Sequence, residues 1–389
     1  MRILIVHNLL WSHYKSSVFQ ALQQLVDQQT DVQVNVLQIA RNERSRASLE
    51  AVTTDVTPTY HYNYDLLFDR FWEDVSLRER ISAVFQHARS FRPDIIMLTG
   101  YYDPAQLLLL FWAKARGIRV IMQNESTAAD HQRSGWKETF KRTIFRLCDG
   151  FFCFGNQSAD YLIQLGVRPD QILLRKNAID NNAIRHEYEQ ALPKRTQHQQ
   201  ALGLRPNNFV FVGRLIAFKN LPLLLTAFAE AQKQSSKAPL WGLLLLGDGP
   251  EYEQLQQQID TLQLAGSVTI LPGRPWYKVP EVLAMSDVLV LPSRSEPWGL
   301  VVNEAMVCGM PVLVSDRCGC VPELVQDGKN GFVFSPDQPV QLRHLLLRFM
   351  NNEADVPAMS TWAKKMIAPY APEVVAQEML NGFKHILTT

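Results

Sequence analysis

The chain has 389 residues, 47% hydrophobic and 20% charged, a globular composition longer than one domain ordinarily needs. Thirty-nine basic residues against thirty-eight acidic ones leave a net charge of +1, which excludes the strongly basic footprint of a nucleic-acid binder. Five cysteines without a CxxC pair exclude a disulfide scaffold and a structural zinc. The apolar runs are too short for a signal peptide or a membrane span, so a cytoplasmic chain is expected.

Taken in order, Arg2 to His7 reads as a first strand and Ser16 to Val26 as the helix after it. Tyr14, Lys15 and Ser16 open that helix. They offer polar contacts to an acceptor or a phosphate, or are ordinary helix-start residues. Val32 to Gln38 alternates as a second strand, and Ala40 to Tyr64 carries few signals. Trp72 to Phe91 reads as an amphipathic surface helix, Asp94 to Leu98 and Ile118 to Met122 as strands, and the LLLLFWAKARG segment between them as a helix on the sheet. Alternating strands and helices imply a parallel, doubly wound domain.

The segment 136–147 mixes Lys137, Lys141, Arg142 and Arg146 with Trp136, Phe140, Ile144 and Phe145. Such a helix either attaches peripherally to the inner face of a membrane or packs on a core with a solvated basic face. Residues 183–206, polar and holding Pro193 and Pro206, read as an interdomain linker. The expected organisation is therefore 1–182, a linker 183–206, a second domain 207–370 and a final helix 371–389.

The second domain opens with the strand Phe209 to Val212, ending in Gly213 and Arg214. Leu243 to Leu246 before Gly247, and Val268 to Leu271 before Gly273 and Arg274, read as further strands. Gly247-Asp248-Gly249 does not continue into a dinucleotide fingerprint, because Tyr252 stands where the third glycine belongs. After the strand Val288 to Leu291, a loop of turn formers leads through Gly299 into a helix from Leu300 to Cys308. A helix start at Gly299 offers free N–H groups and the positive end of the helix dipole to an anion. Glu296 and Glu304 flank it. Carboxylates beside a pyrophosphate suit neutral hydroxyls, and a nucleoside diphosphate sugar carries both kinds of group; otherwise Glu304 merely stabilises the helix start and Glu296 is solvated.

The stretches FVGRLIAFKNLPLLLTAFAEA, LLLLGDGPEYEQL, SEPWGLVVNEAMVCGMPVLVSD and ELVQDGKNGFVF together resemble the C-terminal half of retaining glycosyltransferases of family 4. That resemblance implies an α/β chain of the GT-B fold, two Rossmann-like doubly wound domains facing a cleft, with a C-terminal helix crossing back to the first domain. It implies transfer of a sugar from a nucleoside diphosphate donor, most commonly UDP-linked, to an acceptor hydroxyl, without a metal or other cofactor. The acceptor would be a sugar, a lipid-linked or a small molecule, in polysaccharide, glycolipid or glycoside synthesis. A 2-epimerase or a non-catalytic protein of the same fold are the alternatives.

Carried onto matching positions, the resemblance assigns the donor to Gly213, Arg214, Lys219, Gly247, Gly273, Arg274, Glu296, Gly299, Leu300, Val301 and Glu304. Arg214 and Lys219 would neutralise the leaving diphosphate, Glu296 would hold the sugar hydroxyls and Glu304 the ribose. On the acceptor side, relatives have a histidine just past the strand ending near Met122. Here Asn124 and Glu125 stand in that place, and either Glu125 or His131 would take its role, beside Tyr14 and Lys15. The front-face mechanism implied lets the departing phosphate take the acceptor's proton.

Overall fold

The computed structural model describes residues 1–10, 13–44, 60–127 and 135–388. The chain folds as two compact units, Met1–Asp180 with Tyr370–Thr389, and Asn181–Pro369.

The first unit carries β1 (Arg2–Leu9), α1 (His13–Asp27), β2 (Gln33–Asn42), β3 (Tyr64–Phe71), α2 (Leu77–Phe91), β4 (Ile95–Leu98), α3 (Pro104–Lys114), β5 (Arg119–Asn124), α4 (Gly135–Arg146), β6 (Gly150–Cys153), α5 (Asn156–Gln164) and β7 (Ile172–Arg175). Its strands form one parallel sheet in the order β3-β2-β1-β4-β5-β6-β7. The period-2 alternation of β1 divides the core. Leu4 and Val6 face one apolar layer with Leu109, Leu110 and Phe145, and Ile3 and Ile5 face another with Phe19, Leu22 and Phe383.

The second unit carries α6 (Asn181–Ala191), α7 (Arg195–Ala201), β8 (Asn207–Val212), α8 (Leu221–Gln234), β9 (Trp241–Leu246), α9 (Tyr252–Thr261), β10 (Val268–Leu271), α10 (Val279–Ala284), β11 (Val288–Leu291), α11 (Leu300–Val307), β12 (Val312–Ser315), α12 (Val321–Leu324), β13 (Gly331–Phe334), α13 (Pro339–Met350) and α14 (Val356–Ile367). Its parallel sheet runs β10-β9-β8-β11-β12-β13. In each unit the winding direction reverses beside the first strand, between β1 and β4 and between β8 and β11. Crevices beyond the carboxyl ends of strands at such reversals are where open α/β sheets take ligands.

The last helix, α15 (Pro372–Thr388), belongs to the first unit. Val375, Ala376, Met379, Leu380, Phe383 and Ile386 are buried there, with the Phe383 ring edge-on to Phe152 at 5.3 Å.

Two expectations are corrected. Residues 183–206 are not an open linker: α6 and α7 pack in the second unit, held by the Arg195–Asp287 ion pair at 2.8 Å and by Gln199 donating to Met285 O at 2.9 Å. These short helices are anchored by polar bonds, so they lack the apolar periodicity that reveals a helix in sequence. Trp72 to Phe91 is not one helix, because Ser76 caps α2 in a reciprocal box with Glu79 after a separate 3-10 turn at Trp72–Asp74. Strand β3 begins where the stretch of few signals, Ala40 to Tyr64, ends, and no element was expected over it. It is an edge strand carrying exposed charges, which hide the alternation.

The apolar face of α4 lies in the core through Ile144 and Phe145, and Phe145 meets Tyr101 and Phe151 edge-on. Among the described residues no helix is long and apolar enough to cross a membrane.

Candidate functional site

In the second unit the sequence-derived donor residues converge on the carboxyl ends of β8, β9 and β11. Gly213 and Gly247 end two neighbouring strands at φ of 154° and 153°, and a Cβ on Gly247 would lie 1.9 Å from the Gly213 carbonyl oxygen. Only glycine lets the backbones approach so closely there. Gly249 repeats the device against Leu215, whose carbonyl oxygen would lie 2.2 Å from an added Cβ. The loop after β8 is thereby pressed against the loop after β9, leaving the Arg214 side chain exposed and Lys219 partly buried.

Lys219 and Glu296 form an ion pair in which both side chains are largely shielded from solvent. An ammonium has three donors and a carboxylate about four acceptor positions, so each retains capacity beyond the pair. The two loops carrying them are tied together elsewhere. Arg294 N–H donates to Phe218 O at 2.8 Å, Arg294 Nε to Asn220 Oδ1 at 3.2 Å, and Asn220 Nδ2 to Pro292 O at 3.3 Å.

A second strap fixes Glu296 from the other side. Gly319 N–H donates to Glu296 O at 2.8 Å and Cys320 N–H to Trp298 O at 3.1 Å. A Cβ on Gly319 would lie 1.9 Å from Pro297 O, so this contact again requires glycine. Cys318 and Cys320 beside it are buried free thiols whose pKa values are pushed well up by burial.

Gly299 caps α11 in the left-handed region at φ 95°, and the first turn of α11 holds no acidic residue. Leu300 and Val301 therefore begin a helix whose positive end meets no carboxylate of its own first turn. Glu304 is buried one turn further on, and Trp298 Nε1 donates to Asn303 Oδ1 at 2.9 Å, tying loop to helix. Gly273 and Arg274 are already engaged within the unit. The Gly273 N–H donates to Asp248 Oδ2 at 3.0 Å, and Arg274 lies 3.6 Å from Glu281.

In the first unit, Lys15 sits at the start of α1 with its ammonium 3.6 Å from the centre of the Phe154 ring and 3.4 Å from Asn177 Oδ1. Burial lowers its pKa to about 8, against a smaller opposing pull from Glu125. Glu125 is exposed just beyond β5, and Tyr14 precedes Lys15 on α1. Asn124 is buried and internally bonded, its amide donating to Ser158 Oγ at 2.8 Å and Ser126 O at 2.9 Å. It holds the end of β5 against α5. His131 lies outside the described residues.

Residues 194–366 match the family described as glycosyl transferases group 1, and residues 17–178 match the glycosyl transferase 4-like domain. The chain belongs to the family 4 glycosyltransferases. Its relatives include a GDP-mannose-dependent phosphatidylinositol monomannoside mannosyltransferase of Mycolicibacterium smegmatis, 36% identical over 36% of this chain and 37% of the relative. Another is an N-acetyl-alpha-D-glucosaminyl L-malate synthase of Bacillus anthracis, 39% identical over 26% of this chain and 27% of the relative. The chain thus spans only 27% and 37% of the length of these two relatives. Among solved structures, Anabaena HepE in complex with UDP aligns over 99% of this chain and 100% of its own at a TM-score of 0.71 and 20% identity. Sucrose-phosphate synthase from Thermosynechococcus elongatus aligns over 100% and 99% at 0.74 and 16%. These likenesses show the GT-B fold.

In this family 4 chain the sequence reading missed the residues that hold the site together rather than fill it. Asn220 takes φ 54° before the helix-opening Leu221-Pro222, and an asparagine preceding such a start was the available signal. Gly319 and Gly249 gave no such signal, because their partners are backbone atoms distant in sequence. A buried network in the first unit also escaped. His7 Nδ1 lies 3.0 Å from Gln38 Oε1, Gln38 Nε2 donates to Tyr62 OH at 3.1 Å, and Ser16 Oγ is 3.5 Å from that hydroxyl. Burial holds the His7 pKa down to about 4, so the ring is neutral at pH 7.

Proposed function

We propose that this chain transfers a hexose from a nucleoside diphosphate sugar, UDP-linked in the first instance, to an acceptor hydroxyl with retention at the anomeric carbon. The observation that carries this reading is the Lys219–Glu296 pair, fixed by two straps at the carboxyl ends of β8 and β11 beside the glycine-capped start of α11. HepE was solved with UDP and with UDP-glucose, which supports the choice of base, while the mycobacterial relative uses GDP-mannose.

In the reaction the bond from the anomeric carbon to the β-phosphate oxygen breaks, and its electron pair leaves on the nucleoside diphosphate. Arg214 and Lys219 meet that growing charge, as do the Leu300 and Val301 N–H groups. Fixed positive charge aimed where negative charge develops lowers the barrier and requires no metal at that point. Glu296, held by Lys219, accepts from donor-sugar hydroxyls and orients the ring. The acceptor oxygen bonds to the anomeric carbon on the face the diphosphate leaves, and its proton passes to the departing phosphate oxygen.

The test is turnover of UDP-glucose, UDP-galactose and GDP-mannose with EDTA present, following nucleoside diphosphate release and the fate of the sugar. One donor is expected to be hydrolysed slowly. Arg214→Ala and Lys219→Ala should each lower that rate by about 10²-fold or more. Undiminished turnover in both variants refutes the roles given to these residues, and return of an epimerised sugar replaces transfer by epimerisation.

A further inference from the structure

The loops that follow β8 and β11, residues 213–220 and 292–299, hold three cations, Arg214, Lys219 and Arg294, against one carboxylate, Glu296. Lys219 is paired with Glu296, and the reaction proposed above uses Arg214 and Lys219 on the leaving diphosphate. Arg294 has no part in that reaction, yet its side chain is fixed in place beside it.

An exposed arginine ordinarily keeps its rotamer freedom, whereas this one is tethered at two points. Its backbone N–H donates to Phe218 O at 2.8 Å and its Nε to Asn220 Oδ1 at 3.2 Å. Asn220 is only 5% exposed, and its Nδ2 donates to Pro292 O at 3.3 Å, so the acceptor that holds the guanidinium is itself fixed. A guanidinium has five N–H donors, and Nε accounts for one. The four on its terminal nitrogens meet no acceptor among the described residues, and no carboxylate of those residues lies within ion-pair distance.

Position and charge narrow what such a fork receives. Along the loop after β11, Glu296 stands between Arg294 and the 299–301 turn that offers N–H groups to phosphates, which puts Arg294 on the side of the sugar that Glu296 holds. Phe218, 64% exposed, sits on the turn that the Arg294 N–H grips and offers an aromatic face to apolar C–H surface. The paired terminal N–H groups of a guanidinium match two oxygens of a carboxylate or phosphate, and a fork already held loses little freedom in taking them. A neutral hexose leaves that capacity unused.

We propose that Arg294 selects a sugar carrying a carboxylate or phosphate group beside Glu296, an inference that rests on the transfer reaction proposed above and narrows its substrates to anionic sugars. The charged sugar is either the one transferred, from a uronic-acid donor, or an acidic acceptor set against it. Calorimetry on the full chain separates the two sources. One arm compares UDP-glucuronate with UDP-glucose, and the other compares glucose 6-phosphate with glucose on the chain saturated with UDP. In one arm the anionic sugar should bind about tenfold more tightly or better. Arg294→Gln should abolish that preference and Arg294→Lys should retain part of it. UDP affinity should match the parent in both variants, which certifies their folding.

Absence of an anionic preference in both arms overturns the proposal, as does a preference that survives Arg294→Gln. A fall in UDP affinity in Arg294→Gln assigns the residue to the diphosphate and overturns it as well. Donor hydrolysis in the same preparation keeps the two readings apart. An Arg294-dependent preference without turnover of any donor keeps the recognition and sinks the transfer, and donor turnover without an anionic preference does the reverse.

Discussion

Replacing Gly319 by alanine probes whether the strap across Glu296 matters. The added Cβ would lie 1.9 Å from Pro297 O and 2.8 Å from its carbonyl carbon, both backbone atoms that no rotamer change can move. Ordinary contact begins near 3.4 Å, so the two loops must part by about 1.5 Å. That separation breaks the bonds from Gly319 N–H to Glu296 O and from Cys320 N–H to Trp298 O. At about 0.5–1.5 kcal/mol each, the loss is about 1–3 kcal/mol, a fall in unfolding temperature of roughly 2–12 °C for a unit of this size. Because Glu296 rides on the displaced loop, donor hydrolysis should fall by about tenfold or more, as misplacements near 1 Å do at reacting centres. Scanning calorimetry and the donor-hydrolysis assay read both effects. Gly266→Ala is the control, since its Cβ would meet only the Arg205 guanidinium at 3.7 Å, and it should stay within about 0.5 kcal/mol of the parent. An unchanged unfolding temperature and rate in Gly319→Ala would refute the strap.

Phe383→Ala removes a fully buried ring from α15 and its edge contact with Phe152, and should destabilise the first unit by about 3–5 kcal/mol in urea unfolding. His7 gives a pH signature. Its folded pKa is depressed to about 4 from 6.5, so as pH falls below 6.5 the unfolded chain takes up a proton that the folded chain refuses. Stability is therefore lost between pH 6.5 and about 4, by about 3 kcal/mol at most, and is independent of this group above pH 7. Unfolding temperature measured across that range should show a shallower fall in His7→Gln, and parallel curves would count against the assignment.

The grouping of residues at the carboxyl ends of β8 and β11 was legible because it is local in sequence. Gly213 to Lys219 and Glu296 to Glu304 each put charge, glycine and a helix start within a few residues, next to apolar runs that could only be buried strands. The pairing of Lys219 with Glu296 was not legible, since 77 positions separate them and only the adjacency of β8 and β11 joins them. On the first unit the reading was poorer for the same reason carried further. Asn124 looked like a group awaiting a ligand, yet its amide bonds Ser158 and Ser126. Strand β3 and helices α6 and α7 were hidden by polar surfaces, where apolar periodicity has nothing to report.

The chain leaves the first unit at Asp180 and returns to it at Tyr370. On the ribosome this means that the first sheet emerges with the apolar layer around Phe19, Phe152 and Leu174 lacking the helix that covers it. At about 5–20 residues per second, the intervening unit occupies the ribosome for roughly 10–40 s before that helix is made. The second unit, continuous in sequence, can close first although it is translated later. The nascent first unit thus carries that apolar layer uncovered through the whole interval.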